Sequence, residues 1–348
     1  MTPPPIRPAQ PDRVLIVKPS ALGDVVTAVP VLRGLRRRFP EAHLAWLAAE
    51  TCAPVIAHDR DLDEVVIFER RRLGRAWRSA RSAALLAKLL GRLRRGGYDW
   101  VIDLQGLLRS ALLGAATVAP LRAGFADARE GAPALYTHRI RVGPAHTVER
   151  NIELAGALGI DARADDMTLQ VAPEGRRFAA DLSGRLGGSG FCVCVPPTRW
   201  PTKRYPVRHW AKVVSALAGD LPVVLLGAGG DRELCRAVAE AAANGVTDLS
   251  GQTTIEQMVG VIAASAGVVC SDSAAKFIAP AVGVGVVALI GPTRVDRTGP
   301  YPRGRAVVAP VACQGCLRRR CRHITCMELI DPAEVVSAAR EMLGAGSR

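Results

Sequence analysis

The sequence predicts an α/β protein built from two Rossmann-like, doubly wound domains that face a central cleft. Three observations lead there. Short apolar runs alternate with amphipathic, helix-like stretches, the pattern of parallel sheets with crossover helices. That alternation begins near residue 14 and begins again near residue 190, in a chain of 348 residues that is long enough for two domains. Polar residues collect directly after the apolar runs, where an open parallel sheet binds its ligands.

The first 13 residues, MTPPPIRPAQPDR, are proline-rich and lack the apolar stretch of a signal peptide, so residues 1–12 read as a disordered lead. VLIV (14–17) is a buried strand, KPSALGD (18–24) a small-residue turn, and VVTAVPVLRGLRRRF (25–39) a helix. HLAWLAA (43–49) and EVVIF (64–68) are further strands. A basic amphipathic helix over 75–95 stops at Gly96-Gly97 and leads into YDWVIDLQG (98–106). After the helix HTVERNIELAGALGI (146–160) comes the polar stretch DARADDMTLQVAPEG (161–175). The domain boundary falls there, giving domains of 13–170 and 171–348, with the final helix free to pack back on the first. In the second half, GFCVCVPP (190–197), LPVVLLGAGG (221–230), AGVVCSD (266–272) and VGVVALIGP (284–292) supply four core strands. Helices over 207–219 and 231–244 lie between them.

Composition narrows the function. No apolar run reaches the ~20 residues of a membrane span, which points to a soluble, cytoplasmic protein. Net charge is +14, and residues 69–95 carry ten Lys/Arg against one acid. A solvated helix face accounts for part of such a segment; an anionic partner is the sharper reading. Nucleic acid is a poor fit, because aromatic residues are only 4% of the chain and no zinc-finger helix follows the cysteines. No GxGxxG follows the first strand and no GxxxxGK[ST] occurs, which argues against a dehydrogenase and a P-loop nucleotidase.

The strand ends present Lys18, Ser20 and Asp24; Gln105, Gly106 and Arg109; Thr198, Arg199, Lys203 and Arg204; Gly229, Gly230 and Asp231; Ser271, Asp272, Ser273 and Lys276; Thr293 and Arg294. Singly, each reads equally well as a helix cap or loop polar. As a set, Lys203, Arg204, Lys276 and the helix after SDSA (271–274) suit a phosphate-bearing ligand.

Together the motifs resemble glycosyltransferase family 9, the bacterial lipopolysaccharide heptosyltransferases. The likeness spans about 14–343, through VLIVKPSALGDVVTAVPVL, YDWVIDLQGLLRSALL, GFADAREGAPALYTHRI, HTVERNIELAGALG, TKRYPVRHWAKV and SDSAAKFIAPAVGVGVVALIGPT. RRRLGRAW (70–77) and the AREG and HTVER segments resemble the acceptor side of its heptosyltransferase I branch. The resemblance implies a GT-B fold and an inverting transfer of heptose without a required metal. It implies an ADP-heptose donor and an anionic Kdo–lipid A type acceptor at the inner face of the inner membrane. Asp24 matches the general base and Lys203 the lysine that stabilises the leaving diphosphate. Donor binding falls to Thr198, Arg199, Asp231, Thr253, Asp272, Ser273, Ala274, Ala275 and Lys276. Acceptor binding falls to Ser20, Gly23, Arg71, Arg72, Arg75, Gln105, Arg129 and His146, the last equally readable as structural.

The chain departs from the family at the donor motif. The usual glycine is Ala274 and the usual histidine is Phe277, with Lys276 able to add a charge for the phosphates. This leaves open another nucleotide sugar, or a non-catalytic scaffold homologue. Cys313, Cys316, Cys321 and Cys326 have C-x2-C-x4-C-x4-C spacing, which suits a structural zinc, with His323 as alternative ligand, or a reduced or redox-active cluster.

Overall fold

The structure, a computed structural model, describes residues 10–69, 72, 79–242 and 245–345. The chain divides into two compact units, Met1–Met167 and Thr168–Arg348.

In the first unit the elements are β1 (Arg13–Val17), α1 (Leu22–Val26), α2 (Val29–Arg38), β2 (His43–Ala49), β3 (Glu64–Phe68), α3 (Ala80–Arg95), β4 (Trp100–Asp103), α4 (Leu108–Ala116), β5 (Leu121–Phe125), β6 (His138–Ile140) and α5 (Thr147–Ala157). The six strands are parallel in the order β3-β2-β1-β4-β5-β6. Val14–Val17 are wholly buried because β1 lies mid-sheet, covered on both faces. Residues 10–12, expected to belong to a disordered lead, are partly fixed: Pro11 is buried and the Asp12 N–H donates to Asp99 Oδ2 at 2.8 Å.

The helix expected over 25–39 is two helices. Pro30 has no N–H to donate to the carbonyl four residues back, so the chain breaks at Thr27-Ala28 and restarts at Val29. Arg36, Arg37 and Arg38 close the last turn of α2, where cations favour the helix dipole.

The second unit continues with α6 (Pro173–Arg185), β7 (Cys192–Val195), α7 (Val207–Ala218), β8 (Val223–Leu225), α8 (Arg232–Ala241), β9 (Val246–Asp248), α9 (Ile255–Ala264), β10 (Gly267–Ser271), α10 (Ala275–Ala281), β11 (Val286–Leu289), α11 (Val295–Thr298), β12 (Arg305–Val307), α12 (Thr325–Glu328) and α13 (Pro332–Ala345). Its six parallel strands run β12-β11-β10-β7-β8-β9, the same winding as the first sheet. Trp210, Tyr205, Val213, Leu217, Val269, Met327 and Val335 lie in its core. Cys192, Cys194, Cys235 and Cys270 are buried and serve as small apolar residues. The last helix packs on α7, β10 and β11 of its own unit, with the Met342 methyl 2.4 Å from where a Cβ on Gly267 would stand.

In each sheet the winding reverses once, between β1 and β4 and between β7 and β10. The carboxyl ends of those four strands are the topological switch points, where such sheets take their ligands.

Candidate active site

At the first switch point the loop after β1 meets the loop after β4. Asp24 sits in the first turn of α1, half-buried, with Oδ2 accepting the Ala21 N–H at 3.0 Å. One carboxylate oxygen thus orients the turn and the dipole favours the charge. Ser20 N–H reaches Gln105 Oε1 at 3.3 Å, which ties the two loops together. Lys18, 6% exposed, donates its ammonium to the Leu104 carbonyl. Burial pushes the Lys18 pKa down, Asp24 and Asp103 oppose this, and Arg150 adds to it; the balance stays below the ordinary lysine value.

Asp103, 1% exposed, organises the β4 loop. Its Oδ1 accepts the backbone N–H groups of Gln105 (2.8 Å) and Gly106 (3.2 Å). Its Oδ2 accepts the hydroxyls of Ser110 (2.8 Å) and Tyr136 (2.7 Å). Burial raises the Asp103 pKa more than these four donors lower it. Tyr136 reaches it across Gly124, where a Cβ would stand 2.4 Å from the phenol ring. Gly106 adopts φ +68°, which glycine tolerates best, and its carbonyl accepts the Arg129 N–H at 3.0 Å. Arg129 is exposed beside this loop.

At the second switch point Asp272 is the hub. Its carboxylate is 2% exposed. Oδ1 accepts the Lys276 ammonium; Oδ2 accepts the Thr293 hydroxyl and lies 2.7 Å from Lys203 Nζ. Thr198 Oγ1 donates to the Asp272 carbonyl at 2.9 Å. Burial pushes the Asp272 carboxyl up, but Lys276 and Lys203 outweigh it and hold it below the usual carboxylate range. Lys203 Nζ also stands 4.4 Å from the Trp200 ring centroid. Ser273 Oγ is buried beside the Cys270 thiol.

The structure therefore gathers Ser20, Asp24 and Gln105 at one switch point, with Gly23 in the same turn. It gathers Thr198, Lys203, Asp272 and Lys276 at the other, with Ser273, Ala274 and Ala275 adjoining. Ala274 has φ −64° and ψ −27°, an ordinary helical conformation, so the absent glycine is not needed for the backbone path. Lys276 is 3% exposed and turned onto Asp272. Phe277 is 4% exposed, in the core. His146 is 7% exposed and its Nδ1 accepts the Val148 N–H at 3.3 Å, capping α5. Arg72 is exposed and paired with Glu69 at 2.8 Å; Arg71 and Arg75 lie outside the described residues. Arg199 and Arg204 are exposed. Asp231 follows β8 and accepts the Ala228 N–H at 2.9 Å, while Thr253 follows the edge strand β9, so both stand off the switch point.

Asp103, Ser110, Tyr136 and Arg150 of the first cluster escaped the sequence reading. Tyr136 comes from a loop whose spacing shows no period. Arg150 pairs with Asp127 at 2.6 Å and bears electrostatically on Lys18. The i, i+4 helical spacing of His146 and Arg150 was the available signal, since it puts both on one face of α5.

The thiols of the cysteine-rich segment lie near one another: burial raises the Cys326 pKa, and Cys313, Cys316 and Cys321 raise it further. All nine cysteines are free thiols, Cys313 and Cys316 exposed, Cys326 buried. Among the described residues no three His, Cys, Asp or Glu side chains are gathered to hold a metal.

Two parallel doubly wound units, with a buried carboxylate–lysine cluster at one switch point and a carboxylate on a helix N-terminal turn at the other, define a GT-B glycosyltransferase fold. The family model for glycosyltransferase family 9 (heptosyltransferase) matches residues 86–326, and the chain belongs to that family. It is 30% identical over 324 residues to lipopolysaccharide heptosyltransferase 1 of Pseudomonas aeruginosa, covering 89% of this chain and 88% of the relative. Among solved structures it is similar to ADP-heptose lps heptosyltransferase II of Escherichia coli (24% identity, TM-score 0.78, covering 97% and 100% of the two chains). It is also similar to the E. coli heptosyltransferase WaaC with ADP (25% identity, TM-score 0.76, covering 96% and 99%). The chain is a glycosyltransferase of the heptosyltransferase family of lipopolysaccharide core biosynthesis.

Proposed function

We propose that this enzyme moves a heptose from an ADP-heptose donor to an anionic, lipid-linked acceptor of Kdo–lipid A type, with inversion at the anomeric carbon. The acceptor hydroxyl attacks that carbon, a new C–O bond forms, and the C–O bond to the diphosphate breaks with its electron pair leaving on ADP. Asp24 takes the hydroxyl proton. Lys203 stabilises the charge that grows on the diphosphate, so the transfer needs no metal. The observation that carries this reading is Lys203 itself: an ammonium fixed by Asp272 and Trp200 at the switch point of the second sheet. The relative named with ADP supports the nucleotide.

The basic helix α3 suits the acceptor side. Arg81, Lys88, Arg94 and Arg95 are exposed on it, and each cation near an anionic bilayer contributes roughly 1 kcal/mol. α4 packs beside it with Leu108 and Leu112 exposed one turn apart. This supports peripheral contact with the inner face of the inner membrane. No described helix is long and apolar enough to cross a membrane.

Calorimetric titration of ADP, UDP and GDP, with and without EDTA, tests the donor. ADP alone is expected to bind, with Lys203→Ala weakening it. Asp24→Asn keeps an acceptor for the Ala21 N–H and is expected to lose about 10²–10⁴-fold in transfer rate while binding ADP as wild type does. Preferred binding of UDP or GDP would remove the ADP-heptose assignment; EDTA-sensitive transfer would remove the metal-free mechanism.

A further inference from the structure

Trp200, in the loop after β7, carries a second cation. The Arg319 guanidinium carbon stands 4.7 Å from its ring centroid, against 4.4 Å for Lys203 Nζ. Two positive centres on one indole cannot be further apart than the sum of those distances. Arg319 comes from the cysteine-rich segment, which is stitched to the same site from both sides. Thr202 Oγ1 donates to the Arg318 carbonyl at 2.9 Å. Gln314 Nε2 donates to the Thr293 carbonyl at 3.0 Å, and the Leu317 N–H to Pro292 at 2.6 Å. Thr293 in turn donates its hydroxyl to Asp272.

Lys203 and Lys276 both pair with Asp272, with Lys276 turned inward on it, whereas Arg319 is held on the Trp200 ring. Among the described residues no carboxylate stands within ion-pair distance of Arg319, which is exposed. A like-charged pair held on one ring calls for an anion of matching charge. Resting on the donor reading above, we propose that Arg319 binds the diphosphate of the nucleotide donor beside Lys203, with Trp200 as the platform that sets both. The cysteine-rich segment then serves to deliver this arginine, and Arg319 supplies outward-facing charge that the inward-turned Lys276 and the buried Phe277 do not.

The test is titration of ADP, AMP and adenosine into wild type, Arg319→Met and Arg319→Lys, with thermal melts of each. Methionine keeps the apolar cover over Trp200 and removes the charge. Arg319→Met is expected to weaken ADP by about 10–100-fold, the worth of one charge-assisted hydrogen bond. AMP should weaken less, adenosine not at all, and Arg319→Lys should recover part of the loss. Wild-type affinity for ADP in Arg319→Met overturns the proposal, as does an equal loss for adenosine, which would report a changed pocket. If wild type binds no ADP, the donor reading itself falls, and this inference with it; if wild type binds ADP and only the arginine is silent, the donor reading stands.

Discussion

Asp272→Asn tests whether the second-unit cluster is built around one buried charge. The carboxylate is 2% exposed and neutralises Lys276, whose side chain is 4% exposed, and Lys203, at 14%. Asparagine leaves one buried and one partly buried ammonium beside a neutral amide. Removing one partner of a buried ion pair typically costs about 3–5 kcal/mol, because the remaining charge is uncompensated. For a unit of this size, each kcal/mol moves the melting temperature by about 2–4 °C, so a fall of roughly 10 °C is expected at pH 7. The pH dependence has a definite sign. Burial raises the Asp272 pKa, the two lysines lower it more, and the balance lies below the ordinary value. A depressed folded pKa gives stability that is fully present above the unfolded aspartate pKa of about 4 and is lost as pH falls through the lower folded value. Wild type and variant should therefore converge in acid. Differential scanning calorimetry from pH 7 to pH 3 measures both effects. A variant melting within about 2 °C of wild type at pH 7, or a gap that persists in acid, would refute the reasoning.

Lys18→Met separates function from stability at the other switch point. The Lys18 ammonium is held below its ordinary pKa, first by burial, so its stability contribution is present above the unfolded pKa and lost as pH falls through the folded one. At neutral pH the lysine is a net cost, and methionine is expected to melt within about 1 kcal/mol of wild type despite losing the bond to Leu104. Its advantage should shrink as pH rises toward 10, while the transfer rate falls; a variant that unfolds at neutral pH would make Lys18 structural. Gly260→Ala probes the crossing of α6 and α9: the new Cβ would stand 2.1 Å from the Gly175 carbonyl oxygen, which is backbone and cannot turn away. A loss of about 1–3 kcal/mol or more is expected in a denaturant melt, and an unchanged midpoint would show that the helices separate freely.

The central strands were legible in the sequence because their burial is written as uninterrupted apolar residues. VLIV, HLAWLAA and VGVVAL need no partner to be recognised, and the polar residues that follow them fall at the switch points by topology alone. Asp24, Gln105, Lys203 and Asp272 were found that way. The outer strands β5, β6, β9 and β12 were not, since LRAGF, HRI, VTD and RAV are short and carry arginine, glycine or aspartate. Only pairing to a formed neighbour makes such segments strands. The same holds for side-chain direction. The lysine of SDSAAKF and the histidine of HTVER are legible as polar positions; that the first pairs with Asp272 and the second caps its own helix is set by the folded helices. The cysteine spacing suggests a metal or a redox cluster; that the segment packs against Thr202, Thr293 and Trp200 comes from the fold alone. Local pattern determined which residues stand at the ends of the strands. Which way they point, and which charges they neutralise, was decided only when distant loops closed on one another, because a hydrogen bond or ion pair across 70 or more residues leaves no period in the chain.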